Sequence, residues 1–258
     1  MSEMASLAQP HRGRVVIVTG AGRGIGLSIA QRLARDGAKM LVSDVEEQIL
    51  AEAVESLEAG GADVVSYCGD LSLESEAEGM AELALDRFGA IDILVNNAGG
   101  GVILPFLEHT KETLRRTIDR NLWTAIWSCR AVLPHMQERK YGRILNIGAD
   151  SVRNGLWNHA GYNAAKGGMH GLTTGLAREF ATSGITVNTV APCAVNTPQL
   201  SELRERNPEL VDRWVSVIPM ARAAEMGEVA SMVSHLASTE AAYVTGQVIS
   251  VNGGSTML

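Results

Sequence analysis

The chain has 258 residues, 46% of them hydrophobic and 20% charged, with a formal net charge of −7. That length and apolar content suffice for one large α/β domain, and an acidic balance without a lysine or arginine block argues against a nucleic-acid or anionic membrane partner. No stretch approaches the roughly 18 apolar residues of a membrane span, and residues 1–13 lack an apolar core of signal-peptide length. Cys68, Cys129 and Cys193 lie far apart, which suits reduced thiols in a cytoplasmic protein rather than a disulfide framework. The histidines show no paired-ligand spacing, so no metal site is expected.

Short apolar, β-branched runs alternate with helical patterns along the whole chain. Residues 14–19 (RVVIVT) read as a buried strand, followed by a glycine-rich turn and a helix over 25–35. Strands are expected at 39–43, 63–67 and 91–95, with helices at 45–59 and 73–88 between them. A long helix is expected over 107–137, kinked or ended by Pro134. A strand at 142–147, a helix at 162–182 and a strand at 185–190 follow. A polar, irregular stretch then leads to a helix over 227–236 and a last strand at 247–251. Continuous apolar strands separated by helices predict a parallel sheet covered on both faces, hence one doubly wound domain over 1–258.

The first strand runs into Thr19-Gly20-Ala21-Gly22-Arg23-Gly24-Ile25-Gly26 and then a helix. Such a turn lets backbone N–H groups approach a pyrophosphate at a helix N-terminus, where the helix dipole favours anions. A tight strand–helix turn without a ligand is the plainer alternative, but the strand–turn–helix setting favours a dinucleotide. Asp44 ends the second strand about 20 residues beyond the glycines, where a carboxylate can bind a ribose diol; it can equally serve as a helix N-cap. A carboxylate there repels the 2′-phosphate of NADP, whereas the guanidinium of Arg23 would welcome it. NAD is the expected cofactor, with NADP the alternative.

With these motifs in hand the sequence resembles the short-chain dehydrogenase/reductase family. The carriers are TGAGRGIG (19–26), Asp70-Leu71, NNAG (96–99), Asn121, YNAAK (162–166), APCAVNTP (191–198) and VTGQVISVNGG (244–254). The resemblance implies a Rossmann-type fold with a seven-stranded parallel sheet, a homotetramer, and a small alcohol or ketone as substrate. It implies cofactor contacts from Gly20, Arg23, Gly24, Ile25, Gly26, Asp44, Asp70, Leu71, Asn96, Asn97, Ala98, Gly99, Pro192, Val195 and Thr197, with Asp70 at the adenine and Thr197 at the carboxamide. Asn121 is implied as the anchor of a water in a proton relay, and Lys166 as a holder of the nicotinamide ribose.

Tyr162 and Lys166 sit four apart on a predicted helix and so share a face. A phenol with a pKa of about 10 is a poor base at neutral pH, and an adjacent ammonium favours its ionised form. The pair is expected to exchange the alcohol proton while hydride moves between substrate and nicotinamide. The family's catalytic serine would fall at Ala149, thirteen residues before Tyr162. A hydroxyl there would steady charge on the reacting oxygen; Ser151 is the candidate replacement, and a weakened variant or reliance on Tyr162 alone are the alternatives. Cys193, where the family commonly has glycine, is expected to narrow the substrate space. Residues 196–220 are expected to form a lid, with Gly100, Gly101, Val102, Trp157 and His159 as pocket-wall candidates and Arg153 or Arg204 as partners for a substrate carboxylate. The function these readings support is NAD-dependent interconversion of a small cyclic or aryl secondary alcohol and its ketone. Rivals are an NADPH-dependent 3-oxoacyl-thioester reductase and a cofactor-binding scaffold with weakened catalysis.

Overall fold

Strand β1 (Val15–Thr19) is buried at every position, which a parallel strand covered on both faces requires. The computed structural model describes residues 9–257; the expectation about the N-terminal segment falls largely on residues 1–8, outside those described. Alternate β1 residues serve opposite cores. Val16 and Val18 pack with Ile29 and Leu33 of helix α1 (Gly24–Arg35) and with Val229 and Val233. Ile17 packs on the other side with Met80, Ala84, Val132 and Met136. Burying side chains of this size contributes about 1.5–3 kcal/mol each.

β2 (Lys39–Asp44), α2 (Glu47–Ala59), β3 (Val64–Cys68), α3 (Glu74–Phe88) and β4 (Ile93–Asn96) complete the first half. β5 (Gly142–Ile147), β6 (Ile185–Pro192) and β7 (Val248–Val251) complete the sheet. All seven strands are parallel in the order β3-β2-β1-β4-β5-β6-β7. The order reverses between β1 and β4, and such a switch point opens a crevice beyond the strand C-termini.

The helix expected over 107–137 is instead broken. A 3-10 turn (Phe106–Glu108) precedes α4 (Lys111–Ile118), which Thr110 and Thr113 open with a reciprocal capping box. Five residues, Asp119–Trp123, form a π turn before α5 (Thr124–Arg139). Asn121 supplies a cause: its Nδ2 donates to the Thr117 carbonyl at 2.8 Å, so a side chain intrudes on the i→i−4 ladder. Pro134 neither ends nor breaks α5. It lies on the exposed face, where the carbonyl it leaves unpaired can meet water.

The catalytic-motif helix, α7 (Ala160–Phe180), follows the short α6 (Ser151–Asn154). The stretch expected to be irregular after β6 holds α8 (Pro198–Arg206) and α9 (Pro208–Ser216). Thr197 and Asn207 cap them, each with proline at the first helical position, the usual pairing of an oxygen cap with a residue that needs no donor. α10 (Met226–Ala237) closes the second face of the sheet.

Candidate active site

A cavity of about 700 Å³ opens at the β1/β4 switch point and runs from Asp44 past Tyr162 to Trp214. At its β1 end Gly20 adopts φ +60°, and a Cβ on Gly26 would strike the Gly20 carbonyl. The glycines therefore permit a turn no other residue could make. Asn97 fixes that turn, donating from Nδ2 to the Gly20 carbonyl at 2.8 Å and to that of Thr19 at 3.1 Å. The Thr19 hydroxyl in turn accepts from the Asn97 and Ala98 amides at 3.1 and 2.9 Å.

The N-terminus of α1 carries no side-chain cap and no acidic residue in its first turn. Its N–H groups and dipole face the cavity wall formed by Gly24, Ile25 and Gly26, a setting that suits a pyrophosphate. Beside it the Asp44 carboxylate accepts from the amides of Gly22 at 3.1 Å and Val45 at 2.8 Å. Arg23 does not stand free: it pairs with Glu46 at 2.8 Å. Two carboxylates against one guanidinium leave this end net negative. The residues present fit a nicotinamide dinucleotide.

Deeper in, Tyr162 and Lys166 project from α7 toward the end of β5. Lys166 is 3% exposed, donates from Nζ to the Ile147 carbonyl at 2.6 Å, and lies 5.9 Å from the Tyr162 ring centroid. Burial lowers Lys166 to about 8 and raises the Tyr162 phenol to about 12. Desolvation thus opposes the expected lowering of Tyr162, since it penalises whichever form is charged. Next to them Ala149 and Ser151 line the cavity. The carboxylate of Asp150, fully buried between these two, accepts from Asn154, Ser250, Asn252, Ser255 and Thr256.

A cover of apolar side chains, Leu156, Leu200, Leu203 and Trp214, closes the far end with His159. Trp214 of α9 meets the His159 ring edge-on at 5.1 Å, and His159 meets Tyr162 at 5.9 Å. Arg213 lies over the Trp157 ring at 4.9 Å. Both contacts tie the expected lid to the loop before α7.

A family model described as enoyl-(acyl carrier protein) reductase matches residues 20–256. The chain belongs to the short-chain dehydrogenase/reductase family. It is 61% identical, over the full length of both proteins, to the 2,3-dihydroxy-2,3-dihydro-p-cumate dehydrogenase of Pseudomonas putida. It is 35% identical to the 1,6-dihydroxycyclohexa-2,4-diene-1-carboxylate dehydrogenase of Acinetobacter baylyi, covering 95% of this chain and 97% of that one. Among solved structures it superimposes on an actinorhodin polyketide ketoreductase with NADPH at a TM-score of 0.89, 34% identity and coverage of 94% and 97%. As a member of the family it is an oxidoreductase that interconverts a secondary alcohol and its ketone by hydride transfer to or from a nicotinamide cofactor.

Most positions implied by the family motifs line the one cavity: Gly20, Arg23, Gly24, Ile25, Gly26, Asp44, Asp70, Leu71, Asn97, Ala98, Gly99, Tyr162, Lys166, Pro192, Cys193, Val195 and Thr197. Others sit elsewhere. Asn96 turns into the sheet and donates to Asn146 at 2.8 Å, because strand alternation puts it on the opposite face from Asn97. Asn121 is fully buried; its Nδ2 donates to the Gly100 and Thr117 carbonyls and its Oδ1 accepts from the Gly100 amide, so the side chain braces the loop after β4. Trp157 lies outside the cavity under Arg213; only its carbonyl reaches the site, through His159 at 2.6 Å. Arg153 donates to Val248 and Ser250, and Arg204 is not in the cavity wall, so neither meets a substrate there. Ser151 spends its hydroxyl proton on Asn163 Oδ1 at 2.6 Å, while the Asn163 amide returns a bond to the Ser151 carbonyl. Its hydroxyl is therefore no donor for the reacting oxygen while that bond holds. Glu46 was legible only as an acidic residue two positions after Asp44, and Gln199 carried no signal.

Proposed function

We propose that this enzyme uses NAD to oxidise a vicinal dihydrodiol on a carboxylated cyclohexadiene ring, of the type named for its Pseudomonas putida relative. The observation that carries the reading is full-length 61% identity to that dihydrodiol dehydrogenase, and the Acinetobacter baylyi relative is also named for a ring diol with a carboxylate. The apolar cover of Leu156, Leu200, Leu203 and Trp214 over Tyr162 suits a flat ring.

A bound nicotinamide supplies the hydride acceptor. Everything else falls to this chain. The Asp44 and Glu46 carboxylates favour a free ribose 2′-hydroxyl over a 2′-phosphate, which supports NAD. When a dinucleotide binds, the uncapped start of α1 would hold its pyrophosphate, and Lys166 would hold the nicotinamide ribose, as the family resemblance implies. Tyr162 Oη takes the hydroxyl proton as the carbon–hydrogen bond breaks, and Lys166 holds the pair near a charge state that permits this. The hydroxyketone so formed becomes a catechol by tautomerisation, so aromaticity favours oxidation. Ala149 supplies no hydroxyl, and with the Ser151 donor engaged, Tyr162 alone contacts the reacting oxygen. NADH production from a carboxylated cyclohexadiene diol, with catechol as product, tests the reading; no NADH with any such diol would refute it.

The thioester-reductase alternative has the two carboxylates at the ribose against it. We place the protein in the cytoplasm: no described helix is long and apolar enough to cross a membrane, and the three described cysteines are free. A homotetramer, which the family resemblance implies, is supported by exposed apolar side chains at Phe106 and Leu107 of the 3-10 turn, Ile118 at the end of α4 and Trp123 at the end of the π turn. Sedimentation as a monomer at micromolar concentration would refute it.

A further inference from the structure

His159 is held in a single chemical form. Its Nδ1 lies 2.6 Å from the Trp157 carbonyl. A carbonyl can only accept, so Nδ1 carries the proton. Burial lowers the imidazole pKa against the opposing pull of the Trp157 carbonyl, which favours the neutral ring, and a neutral ring protonated at Nδ1 has a bare lone pair on Nε2. Trp214 and Tyr162 contact the ring edge-on from two sides, so it cannot swing without moving the lid helix or the catalytic tyrosine. The Nε2 atoms of His109, His135 and His170 are sealed from solvent without a partner. His159 Nε2 is not among these sealed atoms, and His159 lines the cavity.

The substrate end has few other polar groups. Leu156, Leu200 and Leu203 are apolar, the Ser151 donor is committed to Asn163, and the Trp214 Nε1 is itself sealed. A ring diol bound with one hydroxyl at Tyr162 Oη carries a second hydroxyl on the adjacent carbon, whose proton needs an acceptor once water is excluded.

We propose that His159 Nε2 is that acceptor, making His159 the residue that selects vicinal diols over mono-alcohols. The inference rests on the ring-diol reading above and assigns its specificity. A neutral acceptor placed for a hydroxyl leaves an unmet lone pair when the hydroxyl is missing, and sites of this kind discriminate strongly against the analogue that lacks it. It also ties recognition to lid position, because the same ring packs on Trp214 of α9.

Catechol and phenol, titrated calorimetrically into the NAD-loaded enzyme, serve as probes that differ by the one hydroxyl. The wild type is expected to prefer catechol by about tenfold or more. His159→Phe keeps the aromatic packing and removes the acceptor; its preference is expected to fall to near unity with phenol affinity within about twofold of wild type. His159→Gln restores an acceptor and is expected to recover part of the preference. A Phe variant that keeps the catechol preference, or that loses catechol and phenol equally, overturns the proposal. Turnover of the dihydrodiol is measured alongside. Absent turnover with an intact, His159-dependent catechol preference counts against the substrate reading alone. Turnover without any such preference counts against His159 alone.

Discussion

Lys166 docks on Ile147, donating from Nζ to its main-chain carbonyl at 2.6 Å, and this bond fixes where the ammonium sits. It joins α7 to the last residue of β5, so the catalytic helix is registered against the sheet at the point where the cavity begins. The ammonium therefore reaches Tyr162 through space, from a site where burial already weakens its hold on a proton.

The pH dependence of alcohol oxidation follows from that arrangement. Oxidation needs a site able to accept a proton, so the deprotonated form of the pair is the active one. Lys166 at about 8 gives up its proton before Tyr162 at about 12, so the first proton to leave the pair as pH rises leaves near 8. The rate is therefore expected to rise with pH through about 8 and then level off. Tyr162→Phe is expected to lower kcat by about 10²–10⁴-fold across the range. Lys166→Met is expected to lower kcat and move the rise to more alkaline pH. A flat profile between pH 6 and 10 with the native pair intact would contradict this account.

On the NAD reading proposed above, the Asp44 and Glu46 carboxylates set the cofactor preference, Glu46 by holding the Arg23 guanidinium. Replacing both carboxylates, Asp44→Ala with Glu46→Gln, removes the repulsion and frees the guanidinium for a 2′-phosphate. A charge-assisted bond is worth about 1.5–3 kcal/mol, so the NADP to NAD ratio of kcat/KM is expected to rise about 10–100-fold. The half-exposed Arg23–Glu46 pair contributes little to stability, so a fall in Tm of the double variant is expected to come from the Gly22, Val45 and Glu46 amides that lose the Asp44 carboxylate. An unchanged cofactor ratio would place the discrimination elsewhere.

Much of this molecule was legible because its rules are local. Strand β5 occupies the expected residues 142–147, since a short run built on Ile144, Leu145 and Ile147 and flanked by Gly142 and Gly148 needs no distant information. The doubly wound sheet followed from the alternation itself. What escaped depends on partners far along the chain. The π turn at Asn121 arises because Gly100, 21 residues earlier, also takes its amide. Asp150 gathers donors about 100 residues away, and no local pattern announces it. The helices of the expected lid are a different case: Thr197-Pro198 and Asn207-Pro208 are cap signals in plain view, masked by a polar composition.

Ala149 leaves the reacting oxygen with one donor fewer than the family pattern, so restoring the hydroxyl measures what it is worth. Ala149→Ser is expected to raise kcat, by up to roughly 100-fold if the new hydroxyl reaches the developing charge. Ser151→Ala is expected to loosen the Asn163 contact and change kcat by less than about threefold, in keeping with one lost neutral hydrogen bond away from the reacting atoms. A large loss from Ser151→Ala would mean that its hydroxyl leaves Asn163 to serve the substrate.

The loop that carries Ala149 and Ser151 is held from below by Asp150. Its carboxylate is fully buried and accepts from Asn154 at 3.2 Å, Asn252 at 3.0 Å and Thr256 at 2.9 Å, as well as from Ser250 and Ser255. The Asp150 amide also donates to the Pro192 carbonyl at 2.9 Å, so the C-terminal segment, β6 and the active-site loop share one anchor. In Asp150→Ala the hydroxyl donors can turn elsewhere, but the Asn154 and Asn252 amides cannot do so freely. Two unmet amide bonds cost about 2–4 kcal/mol, and at 2–4 °C per kcal/mol for a chain of this size the Tm is expected to fall by roughly 5–15 °C. Asp150→Asn keeps the shape but turns half of the acceptor into a donor facing donors, so it is expected to destabilise as well. Calorimetry with kcat measured well below the lowered Tm separates stability from positioning. A folded Asp150→Asn enzyme with native kcat would show that the anchor stabilises the fold without placing the loop.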